Sequence, residues 1–238
     1  MKIKKSHVGV VFSLIIGYFL VYYATHNIQV YVPASTTNPN NDIVVVLDAG
    51  HGGMDGGCTS VNGVDEKNIN LNILLSVRDM CQSFGYKVVV TRDTDISIHD
   101  SGVTGVRNQK LSDMNNRVKI FNKYENAIAI SIHQNQFTQS QYSGAQMFYS
   151  SSNPLNEKLA GVMQGQFVSL LQPENKRETK PTGKDLMLIA NTKCPSLMVE
   201  CGFLSNPQEA SLLETTEYQN KVAFTIFSGI NKFISEKL

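Results

Sequence analysis

Short apolar runs that alternate with stretches of helical spacing constrain this chain most. VVVLDAGH (44–51), YKVVVTR (86–92), AIAISIH (127–133) and SLMVE (196–200) each begin as strand material and end on polar or charged residues. Between the first two runs, Ile69, Ile73, Val77, Met80 and Phe84 recur at helical spacing, and Gly85 is placed to end that helix. AQMFYS (145–150) and LMLIA (186–190) read as further strands. Helices are expected around 112–124, 156–171, 207–214 and 217–236. Strands that alternate with helices imply an α/β domain, a mainly parallel mixed sheet flanked by helices.

Not all of the 238 residues suit such a core. MKIKKSH carries three lysines and precedes an apolar stretch over 8–24, which reads as a secretion signal or a membrane anchor. A cleavage site at YVPAS (31–35) lies far from the apolar run, so we favour an uncleaved anchor for 1–24, with the lysines on the cytoplasmic side and the rest of the chain extracytoplasmic. Residues 25–41, which include the breaker-rich PASTTNPNN, form a linker, and 42–238 form the folded domain. The net charge is +1 with basic residues scattered, which excludes a nucleic-acid footprint. Cys58, Cys81, Cys194 and Cys201 show no tight framework, so no required disulfide is expected, and Cys81 falls on the apolar face of a helix.

Ligands bind beyond the carboxyl ends of the strands in open α/β sheets, so the residues that close the runs carry the functional argument. His51, His133 and Glu200 stand there, and Glu66 opens the first long helix. Two imidazoles and a carboxylate, His51, His133 and Glu66, suit a catalytic zinc site with a fourth position open for water. Glu200 would then be the carboxylate that moves the proton. Gly50, Gly52 and Gly53 would allow the tight turn that brings His51 over the sheet edge. Each residue also has a purely structural role open to it. Glu66 can serve the helix dipole, either histidine can be a hydrogen-bonded core residue, and Glu200 can pair with Arg92 or Arg117. For the two arginines, we read surface pairing with Asp93, Asp95 or Asp113 ahead of a substrate carboxylate. The loops 93–110 and 172–185 are expected to border the cleft.

Other chemistries find little support. GHGGMDGG departs from the dinucleotide fingerprint, TGKD lacks the end of a phosphate loop, and neither HExxH nor GxSxG occurs. A cysteine nucleophile, Cys201 paired with His133, is the remaining enzyme alternative, although a cysteine there suits strand packing better.

Five blocks, VVVLDAGHGGMDGG, DEKNINLNI, KVVVTRDTD, IAISIHQN and PSLMVECGFLSNPQEASLL, occur in an order and spacing that resemble the zinc-dependent N-acetylmuramoyl-L-alanine amidases with a carboxypeptidase-like three-layer fold. The resemblance runs from about residue 43 to 233. It implies that His51, Glu66 and His133 bind zinc and that Glu200 is catalytic. The implied substrate is the amide between muramic acid and L-alanine in peptidoglycan. Ala49 stands where the family often has proline, and Gln134 where a small residue is more usual; neither is expected to touch a ligand. The single short domain, the anchor and GAQMFYS resemble the sporulation branch. That branch implies work in spore cortex maturation (muramic lactam formation) and germination, alongside a muramic acid deacetylase and with targeting by the anchor or an accessory protein. Two alternatives are carried forward, a zinc peptidase of related fold acting on stem peptides and a non-catalytic wall-binding module.

Overall fold

The computed structural model describes residues 42–183 and 185–237. The expected anchor and linker lie outside the described residues. Among those described, no helix is long and apolar enough to cross a membrane.

The sheet is built on β1 (Val44–Ala49), in which every residue is buried. It lies between β2 (Lys87–Val90) and β3 (Ala127–Asn135), and parallel to both. β6 (Ser196–Phe203) continues the parallel set beside β3, β4 (Gln146–Ser150) runs antiparallel to β6, and β5 (Lys180–Thr182) closes the edge in the order β2-β1-β3-β6-β4-β5. This is the mainly parallel mixed sheet expected from the sequence.

Alternation along the strands sends side chains into two different layers. Val45 and Leu47 with Ile128, Ile130, Leu197 and Val199 face the larger core. That core is completed by α1 (Glu66–Ser83), α3 (Leu155–Leu170) and α6 (Thr216–Lys237), which contribute Ile73, Phe167 and Phe233 among others. Val44, Val46, Ala127 and Ala129 face a thinner layer containing Phe121 and Leu188, from α2 (Val106–Phe121) and α4 (Met187–Ala190). A short α5 (Pro207–Leu213) links β6 to α6. The result has three layers.

Helix α1 stops where Gly85 takes φ 91°. Its N–H donates to Gln82 O and that of Tyr86 to Cys81 O, a Schellman closure that satisfies the last carbonyls. Cys81 is fully buried on the apolar face of α1, and all four cysteines are free thiols.

Three local expectations are corrected. LMLIA is no strand: Met187–Ala190 forms a single helical turn with Leu188 and Ile189 buried, because so short an apolar run has no period to choose between the two states. Lys180–Thr182, inside the expected loop 172–185, pairs with β4 as an edge strand, where Pro181 is tolerated. Helix α2 begins at Val106 rather than near 112, so the loop before it is shorter.

Candidate metal and catalytic site

At the carboxyl end of β1, the chain turns back on itself through GHGG. Gly52 has φ 134° and Gly53 φ 58°, as expected for a glycine turn, but His51 itself sits at φ 63°, which costs a residue with a Cβ about 1 kcal/mol. Gly50 has a different task. A Cβ there would overlap the imidazole of His133, so this glycine admits the second histidine rather than bending the chain. Paired backbone bonds between Gly52 and Asp55 close the turn and bring Asp55 Oδ2 to 3.0 Å from His51 Nδ1. An ionised Asp55 accepts a proton-bearing Nδ1, which leaves Nε2 of His51 facing Glu66 Oε2 at 3.3 Å.

Glu66 is the first residue of α1, yet its side chain makes no cap; it points to the histidines. Oε1 accepts from Asn70 Nδ2 at 3.1 Å and the Gln134 N–H at 3.1 Å, and lies 2.9 Å from His133 Nδ1. Oε2 accepts from the Cys58 N–H at 3.0 Å. Burial raises the pKa of this carboxyl, but the hydrogen bonds and charges of both histidines outweigh it and hold Glu66 far below the ordinary range. Burial likewise opposes the charge on His51, but hydrogen bonds to Asp55 and Glu66 raise its pKa to about 9, so a cation at Nε2 competes with a proton. The ligand atoms of His51, Glu66 and His133 all lie within 4.8 Å of one another. Two nitrogens and one oxygen at that separation, backed by a carboxylate behind one imidazole, fit a zinc-like ion with an open position.

Glu200 lies directly across from His133 in the β3–β6 register. The arginine pairing open to it from sequence does not occur. Its Oε2 is buried with no hydrogen-bond partner among the described residues. Burial raises its pKa to about 7, opposed by His133 and reinforced by the negative charge of Glu66. Arg92 is buried and donates to the carbonyls of Ala49, Gly50, Lys67 and Thr94, not to a surface carboxylate. Arg117 does pair with Asp113, and also with Asp48, but deep in the domain. Cys201 is fully buried on the opposite face of β6 from Glu200, its thiol pushed well up by burial, so it does not meet His133 as a nucleophile.

A cavity of about 280 Å³ opens beside His51 and His133. Ser97, Lys110 and Asp185 border it, from the two loop regions expected there, and Met114, Met187 and Met198 supply an apolar wall.

Sequence reasoning passed over Asp55, Gly57, Asn70 and the role of Gln134. Gly57, at φ 73°, lies so close that a Cβ would come within 2.6 Å of Glu66 Oε2 and 2.8 Å of the His51 ring. Asn70 was the legible one, a polar residue one turn beyond Glu66 on the apolar stripe of α1. Gln134, expected to touch no ligand, donates its backbone N–H to Glu66 and its side-chain amide to Asn70.

A germination-specific N-acetylmuramoyl-L-alanine amidase of Bacillus subtilis (strain 168) is 36% identical over 238 residues, covering 100% of this chain and 98% of that protein. The CwlD amidase of Clostridioides difficile, solved in complex with the GerS lipoprotein, superposes with a TM-score of 0.78 at 36% identity, over 81% of this chain and 98% of that one. The amidase AmiC2 of Nostoc punctiforme does so with a TM-score of 0.66 at 25% identity, over 82% and 98%. The family model described as N-acetylmuramoyl-L-alanine amidase matches residues 45–232, and the chain belongs to that family of amide hydrolases.

Proposed function

We propose that this amidase is zinc-dependent, that His51, Glu66 and His133 hold the ion, and that Glu200 carries the proton in hydrolysis of the bond between the lactyl carboxyl of muramic acid and the amine of L-alanine in peptidoglycan. The carrying observation is the meeting of two imidazoles and a buried carboxylate within 4.8 Å beside a second, unpartnered carboxylate. Bound zinc would lower the pKa of a water and polarise the substrate carbonyl. Glu200, with a pKa near 7, can take a proton at Oε2 from the attacking water and return it to the leaving nitrogen. Water and amide become a free carboxylate on muramic acid and a free amine on the stem peptide. Asp55 keeps His51 in the tautomer that presents Nε2, and the cavity wall of methionines lowers the local dielectric around the reacting bond.

The likeness over the whole chain to a germination-specific amidase supports a role in spore cortex maturation and germination. In that setting residues 1–24 anchor the protein, 25–41 link it, and the catalytic domain 42–238 lies outside the cytoplasm. An accessory lipoprotein of the kind bound to CwlD and a separate muramic acid deacetylase are the partners we propose. The deciding experiment digests peptidoglycan fragments with and without zinc and identifies the products by mass spectrometry. Zinc-dependent release of intact stem peptides with a free N-terminal alanine is expected. Cleavage inside the peptide, or release that persists under a chelator, would overturn the reading.

A further inference from the structure

Beside the three ligand positions lies a buried charge cluster, two of whose members, Asp48 and Arg117, also border the cavity next to His51 and His133. Asp48, Arg92 and Arg117 are each no more than 2% exposed. Burying three charges is unfavourable unless their hydrogen-bonding capacity is filled, so the partners they take are informative. Several of these partners are a ligand residue or lie within two residues of one. Arg117 Nη2 donates to the carbonyl of His51 at 2.7 Å, Nη1 to Asp48 and to Ala49 O, and Nε to Asp113 at 2.6 Å. Arg92 Nη2 donates both to Gly50 O at 3.0 Å and to Lys67 O at 2.8 Å. One guanidinium nitrogen therefore ties the residue before His51 to the residue after Glu66. Asp48 Oδ2 accepts from Ser131 Oγ at 2.6 Å, two residues before His133 on the same face of β3. Gly52 completes the fit, since a Cβ there would come within 2.9 Å of the Arg92 side chain.

We infer that Arg92 and Arg117 are positioning residues that set the spacing of His51, Glu66 and His133 before an ion arrives. This rests on the metal reading proposed above. His51 sits in a left-handed conformation that is uncommon for a residue with a Cβ, and Arg117 donates to its carbonyl. Arg92 fixes the gap between the turn and the start of α1, while Asp48 pins β3 to β1. The planar fork of arginine reaches several carbonyls at once, and a lysine ammonium keeps the charge but not that geometry.

The test measures zinc affinity of the full chain by competition with a chromophoric chelator, for wild type, Arg117→Lys, Arg92→Lys and a control, Arg78→Lys. Arg78 pairs with its neighbour Asp79 on the exposed side of α1. Near-UV circular dichroism establishes that each variant is folded. The two buried substitutions should weaken zinc binding about 10- to 100-fold with every ligand intact, and the control should stay within about twofold. Folded variants that melt earlier but bind zinc as wild type does would make the cluster purely structural and overturn the inference. A wild-type chain that binds no zinc would remove the metal reading itself, and that failure is read from wild type alone. Should neither arginine variant fold, Ser131→Ala decides on a smaller scale: zinc binding about threefold weaker supports the inference, and unchanged binding overturns it.

Discussion

Glu66 and Glu200 are two carboxylates of one site, and their surroundings push them in opposite directions. Glu66 receives two backbone N–H groups, an amide and two imidazoles, and its pKa falls far below the usual range. Glu200 keeps a buried oxygen with no partner, and its pKa rises to about 7. Burial acts on both; the number of donors aimed at the charge decides which way each goes. A carboxylate held ionised by fixed donors suits a metal ligand. One that ionises near neutrality suits proton transfer, since the most useful catalytic pKa lies near the working pH.

Exchanging each glutamate for glutamine tests that division most directly. Glu200→Gln should lower kcat about 10²- to 10⁴-fold, the contribution typical of a positioned acid or base, while zinc affinity changes by less than about threefold. Single-turnover rates together with a zinc titration on the same sample separate the two effects. Parallel losses of rate and metal would mean that Glu200 acts as a ligand, and the contrast with Glu66 would be lost. Glu66→Gln should instead weaken zinc binding by more than about a hundredfold, beyond the effect of losing an outer partner, with activity recovering as zinc is added in excess. A Glu66→Gln protein that binds zinc normally would break the comparison from its other side.

A smaller effect is expected at Asp55, which holds Nδ1 of His51 and in turn accepts from Lys110 at 2.8 Å. Asp55→Asn should cost about tenfold in zinc affinity, measured by the same competition, because the amide no longer stabilises the imidazole tautomer as a carboxylate does. This residue also shows where sequence reading stopped. His51, His133 and Glu200 were legible because each closes an apolar run, and the ends of parallel strands are where an α/β sheet displays its chemistry. Glu66 was legible as the opening of a periodic helix, although only the folded chain shows its side chain turned away from the cap and toward the histidines. Asp55 acquires its role through backbone bonds within a glycine turn, and nothing in the residue pattern reports which way that turn closes. Arg92 was read as a surface residue for a related reason. Its acceptors are main-chain carbonyls at the start of that turn and in the first turn of α1, and carbonyls leave no mark in a sequence. The mainly parallel mixed sheet was legible from the alternation of strands and helices, whereas LMLIA and the Lys180–Thr182 edge were too short to carry a period.

The least effect, and the one that probes the comparison without any catalysis, is on stability. A carboxyl whose folded pKa exceeds its ordinary value of 4.5 binds its proton more tightly in the native state. Glu200 therefore favours the native state fully below pH 4.5, and that contribution is lost as pH rises through about 7. Glu66 has the opposite slope: its pKa is depressed, so its contribution is present above 4.5 and is lost on acidification. A shift of the size at Glu200 corresponds to about 3 kcal/mol, which water at this partly buried side chain reduces to about 1–2 kcal/mol. Glu200→Gln should accordingly stabilise the protein by that amount at pH 8 and by almost nothing at pH 5, in denaturant unfolding with a chelator present to keep divalent ions from the site. Glu66→Gln should destabilise it at pH 8, since an amide cannot accept from all the donors gathered around that position. Equal stability changes for Glu200→Gln at the two pH values would mean that water reaches the carboxylate freely. In that case its fitness for proton transfer would have to come from its position opposite His133 and not from its environment.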